Sequence, residues 1–301
     1  MTTAPRILLI ASPLMKPTPA LHRAIALATA MRASLHIVAF DFLEDLATAT
    51  LVDADALEQI RIGYVERHKQ WLTEQAEQLR LHGQEVTTEI FWGQNALDET
   101  LIHARELPAA LIIKDVRHES SIKRALFSTQ DIRLLRDSPC PVHLVTHAPH
   151  AMPRRILAAV DVYRPDNLGR DNNDAIIAQA CNLAMQCDAE VHLLYAYDLY
   201  GLQASEWGYG SPEVLYASNV FEELYNEAVE SFKALADKHS IPEANRHFIS
   251  GNPGGVICSF ADKHQIDLVV IARSHRRGLD KWLGGTAEYV LYKCPESTLS
   301  L

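Results

Sequence analysis

The stretch 266-IDLVVIARSHRRGLDKWLGGTAEYVLYKCP-295 runs from an apolar strand signal through a loop rich in Arg and His into a segment of helical character that ends at Cys294 and Pro295. Four consecutive apolar residues, Leu268 to Ile271, show no polar alternation, as expected of a strand buried on both faces of a parallel sheet. A parallel strand must be followed by a crossover, and in such sheets ligands sit beyond the strand carboxyl ends. Glycines placed there let backbone amides close on a phosphate. Here Ala272 and His275 follow the strand instead, and glycine arrives only at Gly284 and Gly285. The stretch therefore predicts an α/β fold and poses a question about its site.

The same text occurs earlier in the chain. Ala109 to His118, AALIIKDVRH, echoes Ile266 to His275 at an offset of 157, and RDSPCPVHLV at Arg136 echoes LYKCPESTLSL at Leu291. PRRILAAVDVYRP at Pro153 echoes APRILLIASPLMKP at Ala4 at an offset of 149. Matches that keep their order while drifting by a few residues are what loop insertions leave in a duplicated domain. The expected organisation is two copies of one fold, residues 1–150 and 151–301.

Within each copy, strand-length apolar runs alternate with helical periodicity. The first copy has strand signals at Arg6 to Ile10, Ser34 to Phe40, Val86 to Phe91, Leu111 to Lys114 and Val142 to Thr146; the second has them at Arg155 to Val160, Glu190 to Tyr195, His247 to Ser250, Leu268 to Ala272 and Thr298 to Leu301. Leu21, Ala24, Ile25 and Ala28 mark a helix face, as do Leu97, Leu101, Ile102 and Arg105, and Leu224, Ala228, Phe232 and Leu235. The fold class is two tandem copies of a doubly wound, five-stranded parallel sheet.

Composition narrows the function classes. The chain has 301 residues, 48% of them hydrophobic, enough for two cores. Its net charge is -10, divided as about -3 over residues 1–150 and about -7 over residues 151–301, which argues against nucleic-acid binding in either copy. Five cysteines make no disulfide framework and suit a reducing compartment. The apolar run near the N-terminus is too short for a signal segment or a membrane span, so the expectation is a cytoplasmic protein that does not engage membranes.

Taken in order, the strand ending at Asp161, SGNPGGVI at Ser250, the strand before Ala272, the Gly-Thr helix start and the Cys-Pro before the last strand resemble the universal stress protein family. Because both copies carry the set, the chain resembles the tandem members. The resemblance implies an adenine nucleotide alpha hydrolase-like sheet, a stress-response role without rapid chemistry, and pairing of the two copies through their last strands as a pseudo-dimer. It also implies a ligand motif, Gly-x2-Gly-x9-Gly-Ser/Thr, after the fourth strand. In the second copy that motif reads Ala272, His275, Gly285, Thr286; in the first it reads Asp115, His118, Ser128, Thr129, with Ser12 standing where Asp161 resembles the family's adenine contact.

The first copy, with an acidic Asp115 and no glycine, is not expected to hold a triphosphate. The second is expected to bind a small anion through Asp161, Arg273, Ser274, His275, Arg276, Arg277, Gly285, Thr286 and Ala287, with Thr286 capping the helix and Arg forks available for phosphate or carboxylate. ATP or AMP is the candidate cofactor there, with slow hydrolysis as the alternative to pure binding. No catalytic residue is expected: Gly-x-Ser-x-Gly is absent, and GYGSPEV at Gly208 lacks the P-loop spacing. No metal is expected, since His143, His147 and His150 have no matching Cys or carboxylate. Cys140 and Cys294, each before Pro, read as small buried residues at the start of a strand. A homodimer is a further possible assembly.

Overall fold

Ten strands form where the apolar runs predict them. The computed structural model describes residues 4–41, 54–92, 96–116, 130–162, 167–198, 220–273, 285–294 and 297–301, and the chain divides into two units, Met1–Met152 and Pro153–Leu301. In the first unit β1 (Arg6–Ile10), β2 (Ser34–Asp41), β3 (Val86–Trp92), β4 (Leu111–Asp115) and β5 (Val142–Val145) lie parallel in the order β3-β2-β1-β4-β5. In the second, β6 (Arg155–Val160), β7 (Glu190–Tyr197), β8 (Arg246–Ser250), β9 (Leu268–Ile271) and β10 (Ser297–Ser300) take the corresponding order β8-β7-β6-β9-β10. The order reverses beside β1 and beside β6. Those reversals open a crevice at the carboxyl ends of β1 and β4, and another at the ends of β6 and β9.

The core follows from two-sided burial. Ile7, Leu8 and Leu9 of β1, Ile112 and Ile113 of β4, and Val269 and Val270 of β9 are all essentially inaccessible. Helices α1 (Pro19–Met31), α2 (Ala54–Leu81), α3 (Ala96–Glu106) and α4 (Gln130–Asp137) belong to the first unit; α5 (Asn167–Cys187), α6 (Val220–Lys238), α7 (Pro253–Lys263) and α8 (Gly285–Lys293) belong to the second. α1 starts with Thr18 accepting the Leu21 N–H at 3.3 Å and Pro19 at the first position, both favourable at a helix start.

The helix faces differ from the periodicity in detail. Leu27 is buried on α1 while Ile25 is half-buried, and on α3 the buried face is Leu97, Leu101 and Ala104, with Ile102 turned outward. A 3.6-residue period assigns a face only to within one neighbouring position, and packing selects the rest. The α6 face at Ala228 and Phe232 is as predicted.

Candidate functional site

At the second crevice, the tip of β6 is held by a reciprocal pair: Asp161 N–H donates to Asn173 Oδ1 at 3.0 Å, and Asn173 Nδ2 donates to the Asp161 carbonyl at 2.9 Å. Asn173 is buried, so this tie is rigid, while the Asp161 side chain stays exposed. Beyond β9, Arg273 N–H donates to the Leu301 carbonyl at 3.1 Å, and the Leu301 N–H donates to Ile271, so the chain leaves the sheet only after Arg273. Gly285 and Thr286 are exposed in the first turn of α8 and Ala287 is buried. Among the described residues, a Cβ on Gly285 would meet nothing within 4 Å.

One expectation is corrected here. Gly285 and Thr286 both lie within α8, so Thr286 is a helical residue and not the cap. Gly284 lies outside the described residues, as do Ser274, His275, Arg276 and Arg277, the first-copy positions His118, Ser128 and Thr129, and the Gly208 segment.

The first crevice is closed by charge. Lys114 Nζ, on β4, donates to Asp131 Oδ1 of α4, and the two side chains are 9% and 2% exposed. Among the described residues, the space left between Ile10, Ala11, Phe40, Lys114, Gln130 and Leu134 is about 30 Å³, enough for a water or two. Small-molecule sites take roughly 300 Å³ or more. Asp115 is also engaged: its Oδ1 accepts the Ala20 N–H at 3.1 Å, setting a carboxylate against the positive end of α1.

A second correction concerns cysteine. Cys294 is buried, as expected, but it is joined to Cys258 of α7 in a disulfide. The five cysteines make no framework, but this one pair was not foreseen, because its partners are 36 residues apart and meet only when α7 packs beside α8. Gly254, in SGNPGG, permits that approach: a Cβ there would stand 2.6 Å from Tyr289 Cδ1. At Gly251 of the same stretch the reason for glycine is conformational, φ being +145°.

Sequence reasoning weighed the wrong histidines. His143 is buried in β5, whereas His36 of β2, Glu89 of β3 and His103 of α3 bring two imidazole nitrogens and a carboxylate oxygen within 4.8 Å of one another. At the related place in the second unit, His192 Nδ1 and His247 Nε2 lie 3.1 Å apart, and the Phe260 and His264 rings stack at 4.1 Å. Burial lowers the pKa of His36, and a combination of burial with the neighbouring His192 and His264 brings His247 down to about 4. Within each cluster the titratable groups sit 14 to 72 residues apart in the chain, so no short spacing motif could reveal them.

The model of the universal stress protein family matches residues 6–146 and again residues 152–300. Universal stress protein E of Salmonella typhi is 26% identical over 295 residues, covering 95% of this chain and 90% of its own, and the homolog from Haemophilus influenzae is 26% identical over 293 residues, covering 95% and 94%. In fold, the chain is similar to a functionally unknown protein from Pseudomonas aeruginosa, with a TM-score of 0.72 at 24% identity over 99% of this chain and 92% of that one. A universal stress protein from Archaeoglobus fulgidus gives 0.65 at 16% identity, covering 98% and 95%.

Proposed function

The chain belongs to the universal stress protein family, and on that premise we propose that it works as a non-catalytic, ligand-binding regulatory module of the cytoplasmic stress response, with its ligand seat in the second unit. The observation that carries this reading is the contrast between the crevices. The first is filled by the Lys114–Asp131 pair, and the second presents an exposed Asp161 at the tip of β6 together with exposed Gly285 and Thr286 at the start of the described part of α8. No described helix is long and apolar enough to cross a membrane.

The ligand is an anion of phosphate class, met by Arg273 and the α8 N-terminus, where backbone N–H groups and the helix dipole favour negative charge. An adenine nucleotide is the specific candidate, because Asp161 stands at the strand tip where the family's adenine contact lies by resemblance. Hydrolysis forms no part of the reading: Asp161 is the carboxylate identified at that tip, and it is assigned to the base rather than to an attacking water.

The test is calorimetry of the full chain with ATP, AMP and inorganic phosphate, together with mass spectrometry of whatever purified protein releases on denaturation. The expected result is saturable binding of at least one anion, weakened about tenfold or more by Arg273→Gln, since hydrogen bonds to charged groups contribute about 1.5–3 kcal/mol. Binding that ignores Arg273→Gln and Asp161→Ala would remove the seat from this crevice. Phosphate release from ATP above the protein-free rate would overturn the non-catalytic reading.

A further inference from the structure

We propose that the first unit holds a mononuclear divalent metal site of zinc type, with His36 Nε2, His103 Nε2 and the Glu89 carboxylate as its protein ligands. This site is separate from the crevice between β1 and β4 and independent of the anion seat proposed above.

The sheet register builds two-thirds of it. His36 pairs with Thr87, and Val38 with Glu89, so alternation puts His36 and, one pair further along, Glu89 on the same face. α3 lays His103 over that face, its ring stacked on His36 at a centroid distance of 6.2 Å. Glu89 Oε2 then lies 3.2 Å from His103 Nε2 and 3.7 Å from His36 Nε2. Bonds of 2.0–2.1 Å at a tetrahedral centre separate neighbouring ligand atoms by about 3.3 Å. Two of the three separations are near that spacing and all three lie within 4.8 Å, so small side-chain movements would close the set around one ion.

The outer contacts orient both rings for this task. His103 Nδ1 lies 2.9 Å from the Glu99 carbonyl, which can only accept, so Nδ1 carries a proton and Nε2, 3.2 Å from Glu89, is the nitrogen left to meet a metal. His36 Nδ1 lies 2.8 Å from Thr87 Oγ1, and its own Nε2 is buried without a hydrogen-bond partner. A cation placed among the two Nε2 atoms and the carboxylate oxygen would satisfy all three at once, including the His36 nitrogen that is otherwise unpartnered. An imidazole whose second nitrogen is held by a carbonyl or hydroxyl is the arrangement seen around protein-bound metals.

The donor set selects the ion. Calcium and magnesium take six or more oxygen ligands, and thiolate-seeking ions find no sulfur here, whereas two imidazoles and one carboxylate suit zinc with a fourth position open. Glu89 is 49% exposed on its side chain, so that fourth position faces solvent and takes water or a small anion. The second unit does not repeat the set. By strand register His247 stands where Glu89 does, and Phe260 is the eighth residue of α7 as His103 is of α3.

The experiment strips the full chain with a chelator, returns Zn2+, and measures binding by calorimetry and metal content by elemental analysis. One Zn2+ per chain is expected, with Glu89→Gln and His103→Gln each weakening binding by more than about tenfold, Thr87→Val weakening it by about tenfold, and His247→Gln leaving it unchanged. Circular dichroism checks folding. Should His103→Gln fail to fold, Glu89→Gln decides alone, because its side chain is half-exposed, and Co2+ replaces Zn2+ as a second probe whose visible absorption reports a four-coordinate site in the wild type and not in the variant. No uptake at 100-fold excess Zn2+ overturns the proposal. So does uptake that survives Glu89→Gln and His103→Gln but is lost with Cys258→Ser or with the His192 and His247 variants.

Discussion

The two units share a strand order and differ at the same few addresses. Lys114 at the end of β4 corresponds by register to Ile271 at the end of β9, since Leu111 pairs with Ile7 as Leu268 pairs with Ile156. The first unit thus closes its crevice with a buried cation paired to Asp131, and the second leaves an apolar tip. Leu97 and Leu101 of α3 correspond to Gly254 and Cys258 of α7, both helices being eleven residues long. Cys140, equivalent to Cys294 in the Cys-Pro motif, accordingly has a leucine rather than a thiol at the matching helix position and stays outside any disulfide, its Sγ 3.8 Å from Ser138 Oγ. The sheet, buried on both faces, tolerates little change, while the carboxyl ends of its strands carry side chains that can be exchanged without disturbing the ladder. Divergence collects there.

The largest effect should come from dividing the ion pair. Lys114→Met leaves the buried Asp131 carboxylate without this cation and is expected to cost about 3–5 kcal/mol, whereas Lys114→Met with Asp131→Leu should recover most of the loss, because a buried pair replaced by apolar groups is often neutral. Urea unfolding measures both. A neutral single variant would mean that the first crevice is not held shut by charge.

Next in size is the crosslink. A bridge across 36 residues is expected to contribute about 3–4 kcal/mol by restricting the unfolded chain, so Cys258→Ser with Cys294→Ser, or a reductant, should lower the urea midpoint. Cys140→Ser leaves the bridge intact and should respond to reductant as the wild type does. Gly254→Ala should cost about 1–3 kcal/mol by forcing Tyr289 aside, and Tyr289→Ala should relieve most of that. Equal stability of Gly254→Ala and wild type would show that α7 and α8 pack no closer than the first unit's helices, which accommodate Leu97 at that position.

The smallest effect is acid sensitivity. His247 has a folded pKa of about 4, below its ordinary 6.5, so the unfolded chain binds more protons between these values. Stability contributed by the neutral ring is present above about pH 6.5 and is lost as pH falls towards 4. His247→Phe should flatten the melting temperature against pH over that window. An unchanged profile would assign the acid response to His36 of the first unit, whose pKa burial also depresses.

Much of the fold was legible in the chain. Every strand core was visible as an apolar run, and misplacements were confined to ends, such as β9 closing at Ile271 rather than Ala272. Asp161 could be placed at a strand tip because Val160 ends an apolar run and polar residues follow. The rest of the site was harder to read. Thr286 was taken for a cap because a helix start is defined by which backbone groups remain unbonded, and composition does not reveal that. The Asn173 tie to Asp161 joins two elements twelve residues apart, with nothing in either residue type to announce it.

What the sequence determined by itself was local and periodic: the duplication, the alternation of strands with helices, and the parallel character of each sheet, all of which follow from which residues must leave water. The tertiary structure decided which distant side chains meet. His36 faces Glu89 because β2 and β3 pair in one register, and a shift of one residue would turn the whole set to the opposite face. Cys258 reaches Cys294, and Lys114 reaches Asp131, because helices settle on the sheet where their apolar faces fit. Hydrophobic burial is non-directional and can be read from a pattern, whereas an ion pair, a disulfide or a ligand set requires distances of a few ångströms that only the packed chain supplies.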